Sequence, residues 1–404
     1  MTGCSAGDVF DRAKSGISDI INGFGSVSEN GTDESAEDGL SLDDWLREHP
    51  EEMSPDTEQS SNKDSSSEDE VGEDPSTYAY NHLTSDEKKV YLEVARAIRL
   101  MDESVTVSTL DTDTLDKCFN AVIMDHPEFF YIDGYRTTVT TTNDVTVKLD
   151  FSGRYTMTEA EKNNRQKLID AKVSDILENA PMDDNDYEKV KYCFDYIVEN
   201  TSYDVNSEDN QNICSVFING SSVCQGYSLA MKYLLDKIDV PCTVVYGTAN
   251  GNNHAWNLVC VDGTWAYIDA TWGDSTYRSY VNKEVVDAIN YNYFCCNDDI
   301  LNLTHHITEP DDLPACTSLE AYYYVKEGLY FTTADKARLK AVFEKMAAGD
   351  RDFFMIRADS REVYDELKEI LFDGKTVFEW LGAKRVKYAD DGTEKTLSFW
   401  IDRE

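Results

Sequence analysis

The stretch "VCQGYSLAMKYLLDKIDVPC", residues 223–242, calls for a helix, and the residues after it call for a sheet. Tyr227, Ala230, Leu234 and Ile238 recur at the spacing of one helical face, so an amphipathic helix is expected over about Val223–Asp239. Three strand signals come next in order: "CTVVYGT", "AWNLVCV" and "TWAYIDAT". Asp262–Gly263 sits between the last two as a hairpin turn. A helix followed by an antiparallel sheet is an α+β layout.

Further elements flank it. In "LTSDEKKVYLEVARAI", Thr84 stands three positions before Glu87, a capping-box pattern, and Val90, Val94 and Ile98 then share a face. A second helix fits Thr114–Met124, and "PEFFYIDGYRTTVTTTNDVTVKLDFSG" reads as two or three strands. Thr158–Ala180 is helical until Pro181, and Tyr187, Val190, Phe194 and Ile197 mark another helix. Beyond Pro310, "FFMIRA", a helix near Arg361–Ile370 and a hairpin across "RVKYADDGTEKTLSFWI" describe an α+β extension in which nothing looks catalytic. The expected division is an N-terminal α+β region at 78–155, a core at 156–314 and a C-terminal extension at 315–404.

Residues 1–77 are of another kind. Between Ser26 and Tyr80 stand 18 acidic residues and two basic ones, with few apolar groups to offset the entropy of ordering, so a disordered acidic tether is expected. "MTGCS" resembles the end of a bacterial lipoprotein signal. That resemblance implies a lipidated Cys4, attachment to a membrane and an extracellular, cell-surface location. The formal net charge of −41 argues against nucleic acid or an anionic membrane surface as the main partner. No apolar run is long enough to span a bilayer.

Ten cysteines are present, with no C-x-x-C pair and no repeated frame, so buried thiols are the default. Cys224 differs in its place. A thiol in the first turn of a helix gains from unpaired backbone N–H groups, which favour thiolate. His254, in "NNHAWNLVCVDG", begins a strand just after a turn, and Asp269 ends the next strand in "YIDATWGD". Folding at Asp262–Gly263 brings the start of one strand beside the end of the other, so Asp269 is expected to hold His254 across the hairpin. Cysteine, histidine and aspartate in that relation form a relay for acyl transfer.

"GSSVCQGYSLAMKYLLDKIDVPCTVVYGT…NNHAWNLVCVDGTWAYIDATWGD" resembles the core of the transglutaminase-like superfamily. The V-C-x-G-Y, H-A-W-N and D-x-T-W blocks stand in the expected order. The resemblance implies a papain-like fold with Cys224 as nucleophile, His254 as base and Asp269 as orienter. "DHPEFFYIDG" and "YFCCNDDILNLTHH" also resemble bacterial members, and the likeness thins towards the C-terminus.

Around the triad, the oxyanion is expected on the Cys224 backbone N–H plus one of Tyr203, Gln211 and Asn212, among which the sequence does not choose. Gly226 is expected to let the helix start pack closely, and Tyr227, Trp256 and Trp272 to pack in the core or wall the site. Asn257 lies on the other sheet face from Trp256 and reads as structural. His305 and His306 read as capping or packing residues. No cofactor is expected, and no zinc spacing or D-x-[DN]-x-[DN]-G loop indicates a metal. The expected activity is acyl transfer or hydrolysis at amide bonds of proteins or cell-wall peptides, by a monomer. The alternative is a surface binding or scaffold module that keeps the fold without the chemistry.

Overall fold

The computed structural model describes residues 28–30, 77–182, 184–278, 285–308, 313–382 and 386–401. Cys4 and most of the acidic stretch lie outside the described residues. Ser28–Asn30, within the expected tether, forms a short strand, parallel to residues 137–139 of β1 below. An open sheet edge offers N–H and C=O groups that any backbone can pair with, so the strand needs no apolar side chains.

The N-terminal region is two helices against a hairpin. α1 (Ser85–Leu100) starts in the expected capping box: the Glu87 N–H donates to Thr84 Oγ1, and the Glu87 carboxylate accepts from the Thr84 N–H at 2.8 Å. α2 (Thr112–Asp125) comes next, and Leu115, Cys118, Phe119 and Val122 are buried as their spacing requires. β1 (Ile132–Thr142) and β2 (Val145–Tyr155) pair antiparallel beside α1 and α2. α3 (Glu159–Glu178) and α4 (Asp186–Asn200) lead to the centre of the molecule.

There α5 (Cys224–Asp236) packs on a five-stranded sheet. The sheet runs β6 (Phe294–Cys296), β5 (Thr264–Ile268), β4 (Asn252–Val261), β3 (Cys242–Ala249), β7 (His305–Ile307), antiparallel throughout. Both hairpins that build it turn on two residues with positive φ, Asn250–Gly251 and Asp262–Gly263, the conformation whose twist matches the strands. This mixed α/β arrangement with an antiparallel sheet fits a transglutaminase-like fold.

Two features of α5 differ from the expectation. The helix ends at Asp236, since Asp239 turns left-handed (φ 57°) and the Val240 N–H closes onto the Leu235 carbonyl. It is also not amphipathic in effect, because every residue from Cys224 to Leu235 is buried, Gln225, Ser228 and Lys232 included. A helix enclosed on all sides belongs to the middle of a fold.

The C-terminal region adds α6 (Lys336–Ala348), β8 (Phe353–Ala358), α7 (Arg361–Lys368), β9 (Lys387–Asp391) and β10 (Thr396–Trp400). β8, β10 and β9 form an antiparallel sheet, with Tyr330–Phe331 added parallel to β8. α6 has no counterpart in the sequence reading. The nine described cysteines are free thiols. No helix among the described residues is long and apolar enough to cross a membrane.

Candidate functional site

Cys224 is the first residue of α5. Val223 before it has extended backbone and no capping side-chain bond, so the leading N–H groups of the helix are not consumed by a cap. The approach to this end is braced. Ser202–Tyr203 pairs with Ser221–Ser222, placing Tyr203 opposite Ser222. Ser222 Oγ reaches the Asn210 carbonyl at 3.1 Å and Ser215 Oγ at 2.6 Å. Gly226 lies against these same groups: a Cβ there would fall 2.0 Å from Ser222 Oγ and 2.8 Å from Ser215 Oγ. Only glycine allows that approach. The Tyr227 hydroxyl reaches the Thr201 carbonyl at 2.9 Å and the Asp274 carboxylate at 2.7 Å, so this ring is a core post that ties α5 to its surroundings.

His254 lies near the start of β4 and Asp269 immediately follows β5. The ladder pairs Asn257 with Ile268, so Asp269 falls one step further on, beside Trp256, and reaches His254 diagonally instead of directly. His254 Nε2 stands 2.8 Å from Asp269 Oδ2. Asp269 Oδ1 accepts the Trp272 backbone N–H at 3.1 Å, which makes the same carboxylate the N-cap of the Ala270–Gly273 turn. The cap anchors that one oxygen.

A second ring meets that carboxylate. His305 Nε2 lies 3.1 Å from Asp269 Oδ2, and the side chain is wholly buried. His305 begins the edge strand β7, paired with Ala249 of β3, and its neighbour His306 is exposed. The group centred on Asp269 is therefore His–Asp–His, a wider set than the sequence suggested. Its signal was the alternation of a strand: two adjacent histidines point to opposite faces, so one of them must enter the sheet's inner side.

The electrostatics follow from this packing. Burial works against charge on His254, but Asp269, with a further contribution from the Cys224 sulfur, outweighs it and pushes the ring's pKa up to about 10. Burial likewise opposes charge on Asp269, and the two imidazoles more than offset it, holding the carboxyl well below its ordinary range. For His305 burial prevails, and its pKa is lowered. Cys224 thus lies close enough to His254 to interact with it, while its side chain is almost sealed, at 1% exposure against 8% for His254.

The remaining candidates separate. Tyr203 is near both Cys224 and Asp269; burial, then these two neighbours, hold its hydroxyl pKa above the ordinary value. Asn212 spends its Oδ1 on the Cys214 N–H at 2.9 Å, inside its own turn. Gln211 is half-buried in that turn. Trp256 stacks beside His254 with ring centres 5.9 Å apart, and Trp272 lies 6.2 Å from His254 and 4.8 Å from His305. Asn257 donates to the Ser228 carbonyl at 2.9 Å, joining the sheet to α5.

Among the described residues, His254, Asp269 and His305 are also the one group whose ligand atoms converge closely enough to hold a metal ion, all within 4.8 Å of one another. The spacing is already explained by hydrogen bonds of 2.8 and 3.1 Å, and a cation would have to displace both bridging protons.

Comparison with known proteins places this geometry in context. The family model "Transglutaminase-like superfamily" matches residues 176–270, which include Cys224, His254 and Asp269. Kyphoscoliosis peptidase of Homo sapiens is 26% identical over 132 residues, 28% of this chain and 20% of that protein. The Mus musculus counterpart is 27% identical over 128 residues, 28% and 19% respectively. The chain thus spans about a fifth of these relatives' length. A crystal structure of a TGase aligns at a TM-score of 0.25 with 18% identity, covering 36% of this chain and 47% of that one. The relationship to the transglutaminase and cysteine-protease-like superfamily is distant.

Proposed function

From that distant relationship, we propose that this chain is a thiol hydrolase acting on amide bonds of proteins or cell-wall peptides, with Cys224, His254 and Asp269 as its triad. The observation that carries the reading is the buried His254–Asp269 pair with the Cys224 sulfur beside the same ring. A protonated imidazole next to a sulfur is the setting in which a thiolate nucleophile is stabilised.

In this reading the Cys224 sulfur attacks the amide carbonyl. The oxyanion accepts from the Cys224 backbone N–H and the Tyr203 hydroxyl. His254 gives its proton to the departing amine and then takes one from water, which attacks the thioester and frees the acid. Asp269 keeps the ring's orientation throughout. Water is preferred as acceptor because the curated relatives are named peptidases. An amine in its place would make the same site a transglutaminase. Cys4, by its sequence setting, is proposed as a lipid anchor that would hold the enzyme at the cell surface.

A second reading has its own support. The near-complete burial of Cys224 and the second histidine on Asp269 suit a non-catalytic binding or scaffold module that retains the fold. Peptide digestion separates the two. Incubating the full chain and Cys224→Ala with a mixed peptide library, with and without a small primary amine, gives Cys224-dependent cleavage under the hydrolase reading. Cys224-dependent amine adducts at glutamine would replace hydrolase by transglutaminase. No turnover in either protein, with a Cys224 alkylation rate no faster than an ordinary exposed thiol near neutral pH, would favour the non-catalytic module.

A further inference from the structure

A line of hydrogen bonds runs from Asp269 into the C-terminal region. His305 places Nε2 3.1 Å from Asp269 and Nδ1 2.9 Å from Thr304 Oγ1. Thr304 Oγ1 lies 2.6 Å from the Tyr293 hydroxyl, which in turn bonds Glu394. Glu394 pairs with Arg357 of β8 at 3.1 Å. The charged end is sealed as well, with Glu394 only 4% and Arg357 2% exposed. A carboxylate in the turn "DDGTEK" would ordinarily face water, so its burial against Tyr293 needs a reason.

We propose that His305 is a positioning residue, holding Asp269 towards His254 from the far side, and that Glu394 of the C-terminal hairpin fixes His305 through Tyr293 and Thr304. The proposal rests on the reading that Asp269 orients His254.

Counting protons along the line supports it. Each link needs one hydrogen between its heavy atoms, and Tyr293 and Thr304 carry one apiece. With Glu394 ionised against Arg357, Tyr293 donates to Glu394, Thr304 donates to Tyr293, and His305 donates to Thr304 from Nδ1. His305 must then carry a second proton on Nε2 to meet Asp269. With the proton on Glu394 instead, both hydroxyls reverse, Thr304 donates to Nδ1, and His305 is neutral with its hydrogen on Nε2. One proton has passed between Glu394 and His305 with no change in total charge. In both arrangements an N–H faces Asp269. The tautomer that would set a bare nitrogen against the carboxylate leaves a lone-pair clash at 3.1 Å and is disfavoured. Asp269 is then gripped by three donors, Trp272 N–H on one oxygen and two imidazoles on the other.

The test reads His254 directly, by NMR titration of histidine-labelled full-length protein, with the resonance assigned from His254→Gln. In His305→Phe the carboxylate is free to turn away, and the His254 midpoint is expected to fall by about one pH unit or more, a tenfold change in proton affinity. Tyr293→Phe, which cuts the line and keeps His305, should lower the midpoint by a smaller amount. His305→Gln, which keeps an N–H donor at similar reach, should restore most of it. An unchanged or raised midpoint in both His305→Phe and Tyr293→Phe overturns the proposal, since His305 would then merely compete for the carboxylate. Should His305→Phe fail to fold by circular dichroism, Tyr293→Phe and His305→Gln decide alone. Alkylation of wild-type Cys224 is measured in parallel. An ordinary thiol rate there, with the midpoint shift still present, would sink the hydrolase reading and leave the positioning role standing.

Discussion

At the scale of single residues, a histidine that keeps its proton up to about pH 10 ties stability to pH in a definite direction. The folded pKa lies above the ordinary 6.5, so the folded state binds the proton more tightly. The stabilisation is complete below about pH 6.5 and is lost as pH rises towards 10. Asp269 acts in the opposite sense. Its pKa is depressed below 3.8, so its contribution is present above that value and disappears in acid. The stability gap between wild type and His254→Gln, measured by denaturant midpoints at pH 5, 7 and 9, should be largest at pH 5 and smallest at pH 9. A gap that stays flat would mean that the ring's pKa does not change on folding. The contact between His254 and Asp269 was legible in the sequence because the Asp262–Gly263 hairpin brings the two strand ends together. For His305 strand alternation marks only that one of two adjacent histidines turns inward; its partner Asp269 follows a strand three places away in the sheet, which spacing does not reveal.

At the scale of elements, α5 is a helix whose periodicity is plain in the sequence and whose burial is not. Lys232 is charged, yet its side chain is wholly buried and bonds both oxygens of Asp236, at 2.9 and 2.8 Å. It also counters Asp125, whose carboxylate accepts the Ala79 and Tyr80 N–H groups at 2.9 and 2.8 Å. A cation inside a helix surrounded by acid cannot be inferred from spacing, because the acids come from residues 125, 128 and 236. Removing it strands buried carboxylates. Lys232→Met should destabilise the protein by about 3–5 kcal/mol at pH 7. Burial holds the Asp236 pKa up at about 6 even with the lysine present. The stranded acids should therefore take up protons readily, and the deficit should shrink at pH 5. Urea titrations at the two pH values check this; a loss below about 1 kcal/mol at pH 7, the level of an exposed pair, would contradict it. The hairpins were easier, since Asn250–Gly251 and Asp262–Gly263 announce their turns by composition alone.

For the molecule as a whole, sequence suggested three ordered regions in series, while packing joins them. One buried apolar cluster extends from Leu83 to Phe399 without a break between regions. Tyr322 and Tyr324 hydrogen-bond to Asn292, and Tyr293 bonds Glu394, so the C-terminal sheet is tied to the core by both apolar and polar contacts. Such a chain should melt as a unit. Calorimetry is expected to give one transition, with calorimetric and van't Hoff enthalpies in agreement; a separate transition for the C-terminal region would show the regions to be independent. These long-range ties were illegible because their members are ordinary tyrosines and a turn glutamate until the fold assembles them.

The Tyr293–Glu394 contact also bears on how such a chain can be inherited. The stretch matched by the superfamily model ends before the residues that brace its own aspartate. A recombination event that exchanged the C-terminal hairpin alone would deliver an intact cysteine, histidine and aspartate into a frame missing the carboxylate at its far end. Descent would then favour moving residues 293–394 as one block, and a crossover inside that interval would succeed only between parents already matched at both ends.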